Sequence, residues 1–129
     1  MVKDQLPKMA SQEFSKEIGS TGARNWKVVF LYKIRDNEKA LALKERLEEV
    51  IKDLNYKNII SKDIYDLEHQ FVVVHGFRSQ EFALGFTELI KKNKDYLIKD
   101  ENFVVLSDNY KVIQIHKNLE SYKEQMLTP

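Results

Sequence analysis

Lys27-Val28-Val29-Phe30-Leu31-Tyr32-Lys33 is the stretch on which the fold turns. Its β-branched and aromatic residues specify a strand, and its apolar side chains fall on both parities. A half-covered strand alternates apolar and polar, so this one needs cover on two faces. Asp36-Asn37 follows, with side-chain oxygens able to cap a helix. Ala40, Leu43, Leu47, Val50, Ile51 and Leu54 then recur at helical spacing, while Lys44, Glu45, Glu48 and Lys52 lie off that stripe. The spacing predicts an amphipathic helix that stops near Asn55.

Asn58-Ile59-Ile60-Ser61 reads as a short strand running on irregularly to Tyr65. Phe71-Val72-Val73-Val74-His75 is a second strong strand, again apolar on both parities and ended by Gly76. Ser79 is placed to cap the next helix, with Glu81 in its positive first turn. Phe82, Phe86, Leu89 and Ile90 form its expected buried stripe, and Lys91-Lys92-Asn93-Lys94 closes it. Gly85 inside that helix weakens it by about 1 kcal/mol relative to Ala, which a close helix–sheet approach would explain. Phe103-Val104-Val105-Leu106 and Tyr110-Lys111-Val112-Ile113-Gln114-Ile115-His116 read as two more strands. Ser107-Asp108-Asn109 between them makes a tight turn, so a hairpin is expected. A last short helix spans Leu119 to Met126.

The order β-α-β-β-α-β plus an extra C-terminal strand predicts an α+β fold, a ferredoxin-like sandwich. Two helices lie on one face of an antiparallel sheet, with the first and third strands at its centre. Residues 26–129 form this single domain. Residues 1–25 read as a flexible leader, with the small polar run Gly19-Ser20-Thr21-Gly22-Ala23-Arg24-Asn25 as a linker. A short helix over Met9 to Ile18 would place Phe14 and Ile18 four apart.

With 129 residues, 43% hydrophobic and 32% charged, the chain supports one packed domain and is not wholesale disordered. Its 21 Lys and Arg nearly cancel 20 Asp and Glu, which argues against a dedicated nucleic-acid binder. The absence of cysteine removes disulfides, thiolate nucleophiles and sulfur-built zinc sites. No apolar run approaches the roughly 20 residues that span a bilayer, and no signal peptide is visible. The expectation is a cytoplasmic protein, or a soluble piece of a longer exported chain.

Chemistry-bearing patterns are weak. His75 and His116 each end an expected strand and could meet at one sheet edge, but neither they nor His69 stand in an HxH or HExxH spacing, so no metal is expected. His75-Gly76-Phe77-Arg78-Ser79 leads into a helix N-terminus, where an anion could sit, yet neither GxGxxG nor GxxxxGK[ST] occurs. Ser79 lies in no GxSxG elbow. Glu45, Glu48 and Glu49 read as a solvated helix face, and Lys91, Lys92, Lys94 and Lys99 as a basic cluster serving a helix end and solubility. Gln70 to His75 lacks the glycine and aromatic pattern of an RNA-recognition strand. No catalytic set, cofactor or metal site is therefore expected.

Binding is the remaining reading. Two helices cover one sheet face, so the other must be buried by the leader, the C-terminal helix, a second copy or a neighbouring domain. A protein partner, or self-association, through that face is the leading expectation. The alternative is a cell-wall glycan or small ligand held by Tyr32, Tyr110, Gln114 and His116 on one sheet face. Trp26, where linker meets strand, is a packing anchor or a partner contact.

Two stretches add a resemblance: Phe71-Val72-Val73-Val74-His75-Gly76-Phe77-Arg78-Ser79-Gln80-Glu81, and Asn102 through Tyr122. Together they resemble the C-terminal domain of the large tetratricopeptide-repeat lipoproteins of gliding motility and type IX secretion. The likeness covers the second half of the chain, and the first half follows it only in strand–helix layout. It implies a periplasmic fragment of an outer-membrane-anchored chain, with its lipid cysteine and helical repeats upstream. It implies a scaffolding part in the secretion and motility machine, with partners from that machinery and no chemistry of its own.

Overall fold

A computed structural model describes residues 25–127. The leader, including the helix expected over Met9 to Ile18, lies outside the described residues. Strand β1 (Trp26–Lys33) leads through a 3-10 turn (Ile34–Asp36) into helix α1 (Asn37–Asp53). Strands β2 (Ile60–Ile64) and β3 (His69–Phe77) follow, then helix α2 (Gln80–Lys92) and strand β4 (Asn102–Leu106). Helix α3 (Ser107–His116), the short helix α4 (Leu119–Tyr122) and a π-helical turn (Lys123–Leu127) end the chain.

The four strands form one antiparallel sheet in the order β2-β3-β1-β4. The two strands read as apolar on both parities are its central members. Val28 and Phe30 of β1 and Val72 and Val74 of β3 face a core with Ala40, Leu43, Leu47 and Val50 of α1 and Ala83, Phe86 and Ile90 of α2. Val29, Phe71 and Val73 face the other way, into a second core with Phe103, Val105, Tyr110, Ile113, Leu119 and Tyr122. Register sets Val29 opposite both Val73 and Phe103, so one apolar row crosses three strands.

Local chemistry ends the elements. Asn55, just past α1, takes the left-handed conformation that asparagine tolerates (φ 59°). The Ser79 hydroxyl accepts the Phe82 N–H at 3.1 Å and caps α2. Asp36 does not cap α1 with its side chain, because the 3-10 turn delivers the chain into the helix instead.

One expectation is overturned. Ser107 to His116 is not a turn and a strand but helix α3, so the described residues form no C-terminal hairpin and no fifth strand. A strand there would join the β4 edge and leave Val29, Phe71 and Val73 without cover on that face. As a helix the segment turns Tyr110 and Ile113 onto them, and Asp108 sits favourably in its first turn. Of the covers the sequence left open for that face (the leader, the C-terminal helix, a second copy or a neighbouring domain), the chain's own C-terminal segment is the one that closes it.

Phe71 is fully buried and packs its ring against Tyr65 (4.9 Å between centroids) and Tyr110 (5.7 Å). Phe71→Ala is expected to lower the unfolding free energy by about 3–5 kcal/mol in urea denaturation, as deletion of a buried aromatic does. A loss below about 1 kcal/mol would mean that the second core is not packed as described.

Candidate functional site

The row Phe103–Val29–Val73 turns polar when it reaches the edge strand, because Ser61 of β2 stands opposite Val73 and Asp63 opposite Phe71. Five side chains meet there. Lys27 Nζ lies 2.9 Å from His75 Nδ1, and His75 Nε2 lies 2.7 Å from Ser61 Oγ. Ser61 Oγ donates to Asp63 Oδ1 at 3.1 Å, and the Tyr110 hydroxyl of α3 donates to Asp63 Oδ2 at 2.6 Å. Lys27 is 7% exposed.

Donor chemistry gives this chain a direction. A charged lysine has only donors, so Lys27 donates to Nδ1, and the neutral imidazole then carries its proton on Nε2 and donates to Ser61. Ser61 in turn donates to Asp63. An Nε2 that already holds a proton cannot take the serine's, so this arrangement does not activate Ser61 as a nucleophile. It joins a buried ammonium to a carboxylate through satisfied partners, the condition on which buried charge is tolerated. Burial, opposed by Asp63 and reinforced by Lys111, holds the Lys27 amine below its usual value. Burial and the hydrogen bond to Asp63 hold the Tyr110 phenol well above its usual range.

His75 also borders an open apolar cleft of about 390 Å³ between the start of β2, the end of β3 and the head of α2. Tyr56, Ile59, Phe77 and Phe82 line it, with Lys57 and Arg78 among the surrounding residues. Its walls are fixed. The His75 N–H donates to the Ile59 carbonyl (2.8 Å), and Asn58 Nδ2 donates to the His75 carbonyl (2.7 Å). Gly76 turns the chain at φ +90°, which a side chain would resist. The Arg78 guanidinium lies 4.2 Å from the centre of the Phe82 ring, a cation–π contact. Ile59 is nonetheless 69% and Phe82 50% exposed. A second hollow of about 310 Å³ shares Tyr56 and Phe82 and continues along α2 past Gly85.

These observations correct the expected stripe of α2, whose buried residues are Ala83, Phe86 and Ile90, with Phe82 turned to solvent. They also correct the reason given for Gly85, where an added Cβ would meet nothing within 4 Å.

The expected binding residues are not brought together. Trp26 is buried in the core under α1 and α2, its Nε1 without a partner. Tyr32 shares that face and donates its hydroxyl to Asp100. Tyr110 is on the opposite face of the sheet, and Gln114 and His116 stand on α3 rather than on a strand. His116 therefore ends a helix instead of meeting His75 at a sheet edge. Among the described residues, no group of three His, Asp or Glu is placed to hold a metal ion. Comparison with known proteins matches the chain to no family model, no curated protein and no solved structure.

Strand parity could have hinted at the polar chain, since Lys27 and His75 interrupt apolar runs, but pairing Ser61 with His75 needs the register. The cleft's signal was the large apolar pair Tyr56 and Ile59, hidden because the sequence pattern puts Ile59 in a strand that begins only at Ile60.

Burial and the Lys27 ammonium hold His75 below the ordinary histidine value of 6.5, against the pull of Asp63. The unfolded chain thus takes up a proton at a pH where the folded chain does not. The stability His75 confers is full above pH 6.5 and falls as pH drops through 6.5 toward the folded value. Urea midpoints between about pH 7.5 and 5.5 should decline in the wild type, and His75→Gln should reduce that slope; equal slopes would contradict the assignment. Gly85→Ala is expected to stabilise the protein by about 0.5–1 kcal/mol, read as a raised urea midpoint, since the helix gains and nothing is crowded.

Proposed function

We propose that this chain is a non-catalytic interaction module, a ferredoxin-like sandwich closed on its second face by C-terminal helices, that seats a protein segment in the Tyr56–Ile59–Phe82 cleft. The observation that carries the reading is the cleft itself: large apolar side chains on fixed backbone, open to solvent around a concavity, with cations at its border. Concave apolar surface of this kind is where partners anchor. The strand order, with β1 and β3 central, supports the ferredoxin-like reading. The direction of the Lys27–His75–Ser61–Asp63 chain supports a structural rather than a catalytic role for its histidine and serine.

Docking through the bare sheet face, the leading expectation from sequence, gives way to docking at the sheet's end. The resemblance of residues 71–81 and 102–122 to the lipoprotein C-terminal domain supplies the setting we propose. That setting is a periplasmic piece of an outer-membrane-anchored chain, with partners in the type IX secretion and gliding machinery. Among the described residues, no helix is long and apolar enough to cross a membrane.

A photo-crosslinking residue at position 82, and another at the exposed Leu41 of α1 as control, tests this in the native cell envelope. Position 82 is expected to trap a discrete partner of that machinery, and position 41 is not. Equal capture at both positions, or none at 82, would remove the cleft as the docking site.

A further inference from the structure

We infer that the cleft also accepts a second copy of this chain, through the tip of the β2–β3 turn, so that copies join head to tail. The inference rests on the reading of the cleft as a docking site and names an occupant for it. Leu67, at that tip, is 97% exposed, the most exposed large apolar side chain among the described residues. It does not sit on a slack loop. Asp66 Oδ1 accepts the backbone N–H of Glu68 at 2.9 Å and of His69 at 2.7 Å, and His69 Nδ1 lies 3.0 Å from it. The Tyr65 and Asp66 N–H groups both reach the His69 carbonyl, at 3.0 and 3.2 Å. The leucine is thus presented on a pre-ordered turn, and an anchor already held in place loses little freedom on docking.

Its neighbours suit the cleft. Leu67 stands between Asp66 and Glu68, whereas the cleft is bordered by Lys57 and Arg78. Hydrogen bonds from the turn hold the Asp66 carboxyl below its usual range, so it is charged at neutral pH. Lys33 and Arg35 flank the tip on its β1 side, so the match lies between the two carboxylates beside the leucine and the cleft's cations rather than in net charge.

Position does the rest. The turn lies at one end of the β2–β3 hairpin and the cleft at the other, about 30 Å apart along the nine residues of β3. The tip and the cleft are distinct surfaces, so a contact that joins one tip to one cleft is heterologous, whereas an antiparallel pair that used both at once would close at the dimer. Each heterologous contact leaves one free tip and one free cleft, which is the condition for an open chain.

Sedimentation velocity and light scattering of the full chain, from micromolar to millimolar concentration, test this. The average mass should rise with concentration and pass the dimer without a plateau. Leu67→Asp and Ile59→Asp, both at exposed positions, should each remain monomeric with unchanged circular dichroism and urea midpoint. Mixed together, they should form a one-to-one dimer and stop there, because one retains a cleft and the other a tip. A wild type that is monomeric throughout, one that plateaus at the dimer, or a Leu67→Asp variant that associates like wild type would each overturn the inference. A monomeric wild type that still crosslinks a foreign partner from position 82 would overturn it while leaving the cleft reading in place.

Discussion

The structure depends on a pair of strands that no single layer can bury. Val28, Val29 and Phe30 of β1, and Phe71 through Val74 of β3, lie side by side at the centre of the sheet with no exposed surface. Burying a valine or phenylalanine side chain is worth about 1.5–3 kcal/mol, so leaving either parity open to water would forfeit a sum comparable to a domain's whole stability. Helices α1 and α2 meet one half of that demand. Everything after Leu106 is shaped by the other half.

That demand explains why α3 is a helix despite its alternation of β-branched residues. Propensity and local pattern are weak priors beside tertiary packing. The cover is also fastened at its border. Leu119 N–H donates to the Tyr65 hydroxyl at 3.0 Å, the Tyr122 hydroxyl donates to the Val104 carbonyl at 3.3 Å, and Tyr110 reaches Asp63. Burial alone pushes the Tyr122 phenol up to about 12, as expected for a hydroxyl enclosed beneath this segment. Where the apolar row ends at β2, the polar chain from Lys27 to Asp63 takes over, so that the sheet's reverse side passes from grease to hydrogen bonds within one strand.

The central strands, the two long helices and the Ser79 cap were legible because each is written in local periodicity: parity for strands, three-and-four spacing for helices, and a hydroxyl three residues before the N–H it accepts. The need for a second cover was legible too, from Val29 and Val73 falling on the parity that α1 and α2 do not reach. The C-terminal helix stood among the candidate covers, but the part played by residues 107–116 was not legible. Tyr110, Val112 and His116 alternate with Lys111, Ile113 and Ile115, a pattern that a strand and a short helix share, and only the sheet's requirement separates them. The site was less legible still. Tyr32 and Tyr110 were grouped by residue type, but strand parity puts Tyr32 on the side of α1 and α2 while helix α3 carries Tyr110 to the other. The partners that do meet, Lys27, Ser61, Asp63 and His75, lie on three strands whose register no local signal encodes.

Closing both sheet faces also decides what surface is left for recognition, namely the ends and edges of the sheet. Exposed leucines and phenylalanines are ordinary on protein surfaces, and their presence alone means little. Such residues, when merely tolerated, need nothing to hold them. Here the chain constrains them: Phe82 lies under the Arg78 guanidinium, the Ile59 carbonyl accepts the His75 N–H, and Leu67 rides on a turn whose Glu68 and His69 N–H groups both donate to the Asp66 carboxylate. Fixing an apolar group in water gives up freedom that solvation would leave it, and core burial does not offset that loss, because these side chains join neither core. A partner does offset it, since the ordering is complete before contact and does not have to be opposed by the interface. Apolar groups carried on hydrogen-bonded backbone outside both cores are thus arranged as a surface made for contact is arranged.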